Sequence, residues 1–126
     1  MEKVTQLIAR IMLGHIFLIA GLQKITGYEG TQGYMESAGL PGMLLPLVIL
    51  VEVGGGLAII AGWQTKLAAI ALALFTFVAA VIFHNNFSDQ MQTILFMKNI
   101  AITGGLMLLS VYGAGGYSVD SRRIRS

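Results

Sequence analysis

The sequence predicts an all-α integral membrane protein, a four-helix transmembrane bundle with both termini cytoplasmic. Three observations carry this. The 126 residues are 56% hydrophobic and only 11% charged, with a mean hydropathy of +0.77. A soluble domain carries about 25% charged residues and needs them to cover a large surface-to-volume ratio. Lipid is therefore the solvent. Four apolar stretches each approach the roughly 20 residues needed to cross a bilayer, and the connections between them alternate in charge.

The spans run over about residues 7–26, 43–62, 66–87 and 95–114. Each is apolar on all sides, as membrane helices are. A β-barrel is excluded because no stretch alternates apolar and polar residues. The first span holds Arg10, His15 and Lys24, and no small-residue cleavage site follows it, so it reads as a retained helix rather than a signal peptide. The loop Gly27–Gly42 between the first two spans suits a short interfacial helix around Gly30–Ser37, carrying Tyr34 and Met35. Gly39, Leu40, Pro41 and Gly42 then turn the chain into the second span. Gly113, Gly115 and Gly116 end the fourth span, with Ser118 and Asp120 organising the tail.

Lys3 and Arg10 sit at the amino end, Lys66 in the tight second connection, and Arg122, Arg123 and Arg125 in the tail. Glu29 and Glu36 occupy the first connection and Asp89 the third. The positive-inside rule puts both termini in the cytoplasm, and four spans put both termini on one side. Trp63 and all four tyrosines fall at span ends, where interfacial aromatics belong. No linker, repeat or second domain interrupts residues 1–126.

Composition also bounds the chemistry. With no cysteine, disulfides, iron–sulfur clusters and Cys-ligated zinc are excluded, and no metal site is expected. Eight cations spread along the chain make no nucleic-acid surface. No glycine-rich phosphate loop, HExxH or nucleophile elbow occurs, so no nucleotide site is expected. His15 sits near mid-span and His84 about 11 Å further outward at 1.5 Å per residue. A haem sandwich needs two histidines at one depth, so none is expected within one chain.

The polar residues inside the spans hold what remains. They are costly in lipid and turn toward the bundle interior. The set is Arg10 and Lys24 in the first span, Glu52 in the second, His84 in the third, and Lys98 with Asn99 in the fourth. Glu52 lies at about 14 Å depth and needs a partner or a proton. Side chains lean toward their own helix amino terminus, so Glu52 leans outward while Lys24 and His84 lean inward. This pairs Glu52 with Lys24, with His84 nearby and Arg10 as the weaker partner. Arg10, Gly14, Phe17, Gly21 and Lys24 share one stripe within about 80° at 100° per residue. Gly55 and Gly56 flank Glu52. Ala73, Phe77, Ala80 and His84 align on the third span, and Lys98, Ile102 and Gly105 on the fourth. His15 lies off its stripe. Blander roles stay open: a pair that only fixes helix register, a snorkelling Lys98, a capping or snorkelling Arg10, and glycines that serve packing.

These residues, in order, resemble the DoxX family of small bacterial inner-membrane proteins, over roughly residues 7–121. The resemblance rests on Arg10 to Gly14 with Phe17, Gly21 and Lys24, on Gly39-Leu40-Pro41, and on Glu52 with Gly55, Gly56 and Gly62. It continues through Phe83-His84, Lys98-Asn99 and Gly104-Gly105 to Gly113, Gly115, Tyr117, Ser118 and Asp120. It implies a four-helix membrane bundle whose polar positions are Arg10, Lys24, Glu52, His84, Lys98 and Asn99. It also implies partnership with oxidoreductases, including quinone-linked ones.

Three functions follow as expectations. One is a membrane component or partner of a quinone-linked redox system, holding a small amphipathic molecule in the polar cluster. Quinone is its cofactor class, an oxidoreductase its partner, and it is no catalyst on its own. The second is an oligomeric transporter or lipid-handling protein, since four helices alone leave little room for alternating access. The third is an assembly partner without a ligand, whose charges only hold the bundle.

Overall fold

The computed structural model describes residues 2–83 and 87–121. His84, Asn85, Asn86 and the terminal arginines lie outside the described residues, so the expected place of His84 beside the pair lies outside them too. Among the described residues five α-helices are assigned in order: α1 Glu2–Thr26, α2 Tyr28–Ser37, α3 Leu45–Ala61, α4 Thr65–Phe83 and α5 Gln90–Tyr112. A 3-10 turn, Gly42–Leu44, leads into α3. Four of the segments are long and apolar enough to cross a membrane: α1, the stretch Gly42–Ala61, α4 and α5. The expected transmembrane bundle is therefore the fold, and the short helix expected near Gly30–Ser37 is α2.

Local chemistry sets the boundaries. Glu2 in the first turn of α1 and Lys24 in its last suit the helix dipole. Pro46 lies at the start of α3, where its missing N–H costs nothing. Gly62 ends α3 at φ 73°, and its N–H returns to the Ala58 carbonyl 2.8 Å away. Asp89 caps α5 by accepting from the Met91 N–H at 3.0 Å. This cap starts α5 five residues before the apolar window at 95, because Gln90, Gln92 and Thr93 are helical but polar. Gly113 closes α5 with an N–H bond to the Leu109 carbonyl, as expected of the glycine cluster.

α1 packs most closely on α3, α4 on α5, and α3 on α4, while α1 and α5 barely touch. The α1–α3 contact is built from glycine. A Cβ at Gly56 would stand 2.8 Å from the Leu18 nitrogen and 2.9 Å from the Gly14 oxygen. One at Gly21 would stand 2.6 Å from Val53 Cγ2. Small residues let membrane helices close to backbone contact, where dispersion replaces the missing hydrophobic drive. The buried residues of α1 are Arg10, Gly14, Phe17 and Gly21, the stripe expected from periodicity. Phe17, Ile59, Leu72 and Leu106 form the apolar centre with Ala69 and Ala73.

Two expected stripes differ. On α4, Ala73 and Ala80 are buried but Phe77 is exposed, and Leu72 and Thr76 take the inward positions. On α5 only Leu106 is buried, and Lys98 is exposed. Both helices are apolar all round, so periodicity finds a line of residues without choosing the face that meets a neighbour.

Candidate functional site: a buried ion pair under α2

The site begins with the α1–α3 glycine contact. Gly21 lies one turn before Lys24 and faces Glu52 and Val53. That closeness brings the Lys24 ammonium to 2.7 Å from Glu52 Oε1. Glu52 is buried, and the Lys24 side chain keeps 28% of its exposure. At that distance the two side chains form a direct ion pair. Burial withholds water from the carboxylate, so the ammonium is what makes its charge tolerable there.

Lys24 has a second face. It borders a recess of about 410 Å³ whose other walls include Gln23 from α1, Gly27, and Gly30, Thr31 and Tyr34 from α2. Tyr34 and Phe83 stack at 5.1 Å between centroids, which ties α2 to the end of α4. Met35 is buried beneath α2. The recess is shallow and open, and one side of it is formed by a helix anchored at two points. Thr31 and Tyr34 were not among the residues expected from sequence. Their signal was present, however: with Gly27 and Gly30 at a three-residue spacing they line one face of α2.

The other expected residues go elsewhere. Arg10 lies 14 residues before Lys24 on the same helix, about 21 Å along its axis, and it does not meet Glu52. Its Nη1 donates to the Ile59 and Ile60 carbonyls at 3.2 and 3.1 Å, and its Nη2 to the Tyr117 carbonyl. Arg10 thus takes the capping role, satisfying the last-turn carbonyls of α3 and complementing its dipole. Lys98 is exposed on α5. Asn99 is half-buried, and its backbone carbonyl accepts from the Thr103 hydroxyl at 2.8 Å. His15 is exposed and contacts the Met12 carbonyl.

At the opposite end the tail crosses beneath the bundle. Asp120 accepts from the Gln64 and Thr65 N–H groups at 2.8 and 2.9 Å, capping α4. Its own N–H donates to the Gly62 carbonyl at 2.8 Å. The Ser118 hydroxyl donates to the Gly115 carbonyl and accepts from the Ser121 N–H. The expected organising role of Ser118 and Asp120 is what the structure holds.

A profile of the DoxX family matches residues 5–85. The chain belongs to the DoxX family. Its relatives agree with the match. This DoxX chain is 51% identical over 120 residues to the Escherichia coli "Inner membrane protein YqjF", covering 95% of this chain and 92% of that protein. It is 37% identical to the Escherichia coli "Inner membrane protein YphA", covering 96% and 91%. It is 29% identical, over 84% of each chain, to a Bacillus subtilis protein named "Putative oxidoreductase CatD". No solved structure matches. This DoxX chain is a multi-pass protein of the bacterial inner membrane, in contact with the bilayer through its four apolar helices.

Proposed function

We propose that this DoxX protein is a membrane component of a quinone-linked redox system, holding the head of a small amphipathic molecule at the Lys24–Glu52 pair. Both termini lie in the cytoplasm in this reading, so the pair sits in the outer half of the bilayer. The observation that carries it is the position of Lys24: one side meets a buried carboxylate, and the other borders an open recess beside α2.

The donor set suits a carbonyl-bearing ring. An ammonium supplies donors only, and Gln23, Thr31 and Tyr34 supply neutral donors of varied reach. A quinone bound there would supply two-electron, two-proton redox chemistry. Lys24 would orient a carbonyl oxygen of such a ring by donating to it. Glu52 would hold the lysine in place through the ion pair. Electrons would pass to or from an oxidoreductase partner; the Bacillus subtilis relative is itself named a putative oxidoreductase.

The test is chemical. Purified protein is extracted with organic solvent, and the extract is examined for quinone by mass spectrometry. The expected result is quinone in near-equal amount to protein, lost in Lys24→Met. A quinone-free extract, together with no binding of an added short-chain ubiquinone analogue, overturns the reading.

A further inference from the structure

We propose that residues 113–121 are a strap that sets the spacing of α1 and α5. When the strap lets go, the long helices swing apart as two pairs, α1 with α3 and α4 with α5. The device lies at the Arg10 end of the bundle and stands independently of the reading of the Lys24–Glu52 pair.

The packing of the bundle is uneven. α1 lies closest on α3 and α4 on α5, the contact of α3 with α4 is slighter, and α1 and α5 barely touch. Gly14, Gly21 and Gly56 bring α1 and α3 to backbone contact. The close point between α3 and α4 is Gly55, and it faces a side chain: a Cβ there would stand 2.9 Å from Leu72 Cγ. Helix association in lipid rests on such close packing. The two pairs are therefore tighter within than between. They meet at the apolar centre, where Phe17 and Ile59 of one pair pack with Leu72 and Leu106 of the other.

The strap leaves the second pair and fastens to the first. It departs from α5 through Gly113 at φ 79° and Gly115 at φ 88°, left-handed joints that glycine adopts freely. The Tyr117 carbonyl then accepts from Arg10 of α1. The Lys3 ammonium stands 5.8 Å from the centre of the Tyr117 ring. Gly115 lies against the Gln6 side chain and Gly116 against that of Lys3. The Asp120 N–H donates to the carbonyl of Gly62, where α3 ends, at 2.8 Å. The Asp120 carboxylate holds the Gln64 and Thr65 N–H groups, at the turn where the two pairs join. Hydrogen bonds with a charged partner are the strong ones, and here they span a seam where the helices supply almost no contact of their own.

Position gives the strap leverage. Arg10 lies seven residues from Phe17 and Gly113 seven from Leu106, about 10 Å along each helix axis. The strap thus acts at a distance from the apolar centre, which serves as the pivot. At the other end of the bundle the Tyr34–Phe83 stack ties α2 to α4. Opening is therefore confined to the Arg10 end, along the α1–α5 groove that Gly113 and Ala114 help to line.

The chain has no cysteine, so spin labels can be placed in pairs on the full chain in lipid nanodiscs. Ile8→Cys with Val111→Cys spans the seam. Leu67→Cys with Val111→Cys stays within the α4–α5 pair, and all three sites are exposed. Two variants break the strap in different ways. Asp120→Ala removes its hold on the Gln64 and Thr65 amides. Gly115→Val puts a β-branched residue at φ 88° and a Cβ against Gln6, and keeps the Asp120 carboxylate. Dipolar electron paramagnetic resonance reads the distances. In both variants the distance between labels at positions 8 and 111 should shift longer and broaden, while that between 67 and 111 stays as in the parent. Circular dichroism checks the helices, and either variant serves should the other fail to fold. An unchanged distance across the seam in the folded variants overturns the proposal. So does equal lengthening of both distances, which marks a general loosening rather than the parting of two pairs.

Discussion

The Lys24 ammonium reaches Glu52 because Gly21, one turn earlier on α1, lies against the Glu52 Cβ and the Val53 backbone. A Cβ at Gly21 would come within 3.2 Å of Glu52 Cβ and of the Val53 nitrogen. The ion pair is thus a consequence of helix approach as much as of charge, and the two can be separated by mutation.

Removing one member of the pair leaves the other charge in a poorly solvated place. Lys24→Met should destabilise by about 3 kcal/mol, the low end for buried pairs because Lys24 is partly exposed. The double variant Lys24→Met with Glu52→Leu should recover most of that loss. Thermal unfolding in detergent, read as a double-mutant cycle, measures the coupling.

The glycine seam predicts a contrast between positions on different helices. Gly56→Ala forces a methyl against the Leu18 backbone and should cost about 1–3 kcal/mol. Gly104→Ala meets open space and should be neutral, or stabilising by up to about 1 kcal/mol through helix propensity. Unfolding midpoints of the two variants, measured side by side, check the difference.

Arg10 predicts asymmetry between charge and reach. Arg10→Leu leaves the Ile59, Ile60 and Tyr117 carbonyls without their donor and should cost about 2–3 kcal/mol. Arg10→Lys keeps the charge but not the forked donors, and should recover only part of that loss. Hydrogen exchange at the tail N–H groups of Ser121 and Asp120 should rise in both, more in Arg10→Leu.

The tail clamp predicts a local effect. Asp120→Ala removes the acceptor for the Gln64 and Thr65 N–H groups and should cost about 1 kcal/mol, as lost helix caps do. Exchange at those two amides should speed up, while amides near Phe17 and Leu72 in the centre of the bundle keep their protection.

Much of this was readable from the residues. The spans follow from hydropathy, and the Lys24–Glu52 pair follows from which way side chains lean on helices of opposite direction. The buried α1 stripe followed because small and polar residues mark it among larger ones. Other features leave no such trace. The partners of Arg10 are backbone carbonyls, which every residue carries, so no side-chain pattern announces them. Phe77 and Lys98 sit on helices apolar all round, where a repeat of 3.6 residues cannot say which face has a neighbour. The early start of α5 depends on one cap at Asp89 outside the apolar window. The recess over Lys24 depends on how α2 folds back, which is set by the Tyr34–Phe83 stack far along the chain.

The central claim is that the Lys24–Glu52 pair holds the head of an amphipathic ligand. Isothermal titration of the detergent-solubilised protein with a short-chain ubiquinone analogue, in the parent and in the folded Lys24→Met/Glu52→Leu double variant, tests it most directly. Saturable binding is expected in the parent, with a loss of about tenfold or more in the double variant. Equal binding by both proteins, or none by the parent, would contradict it.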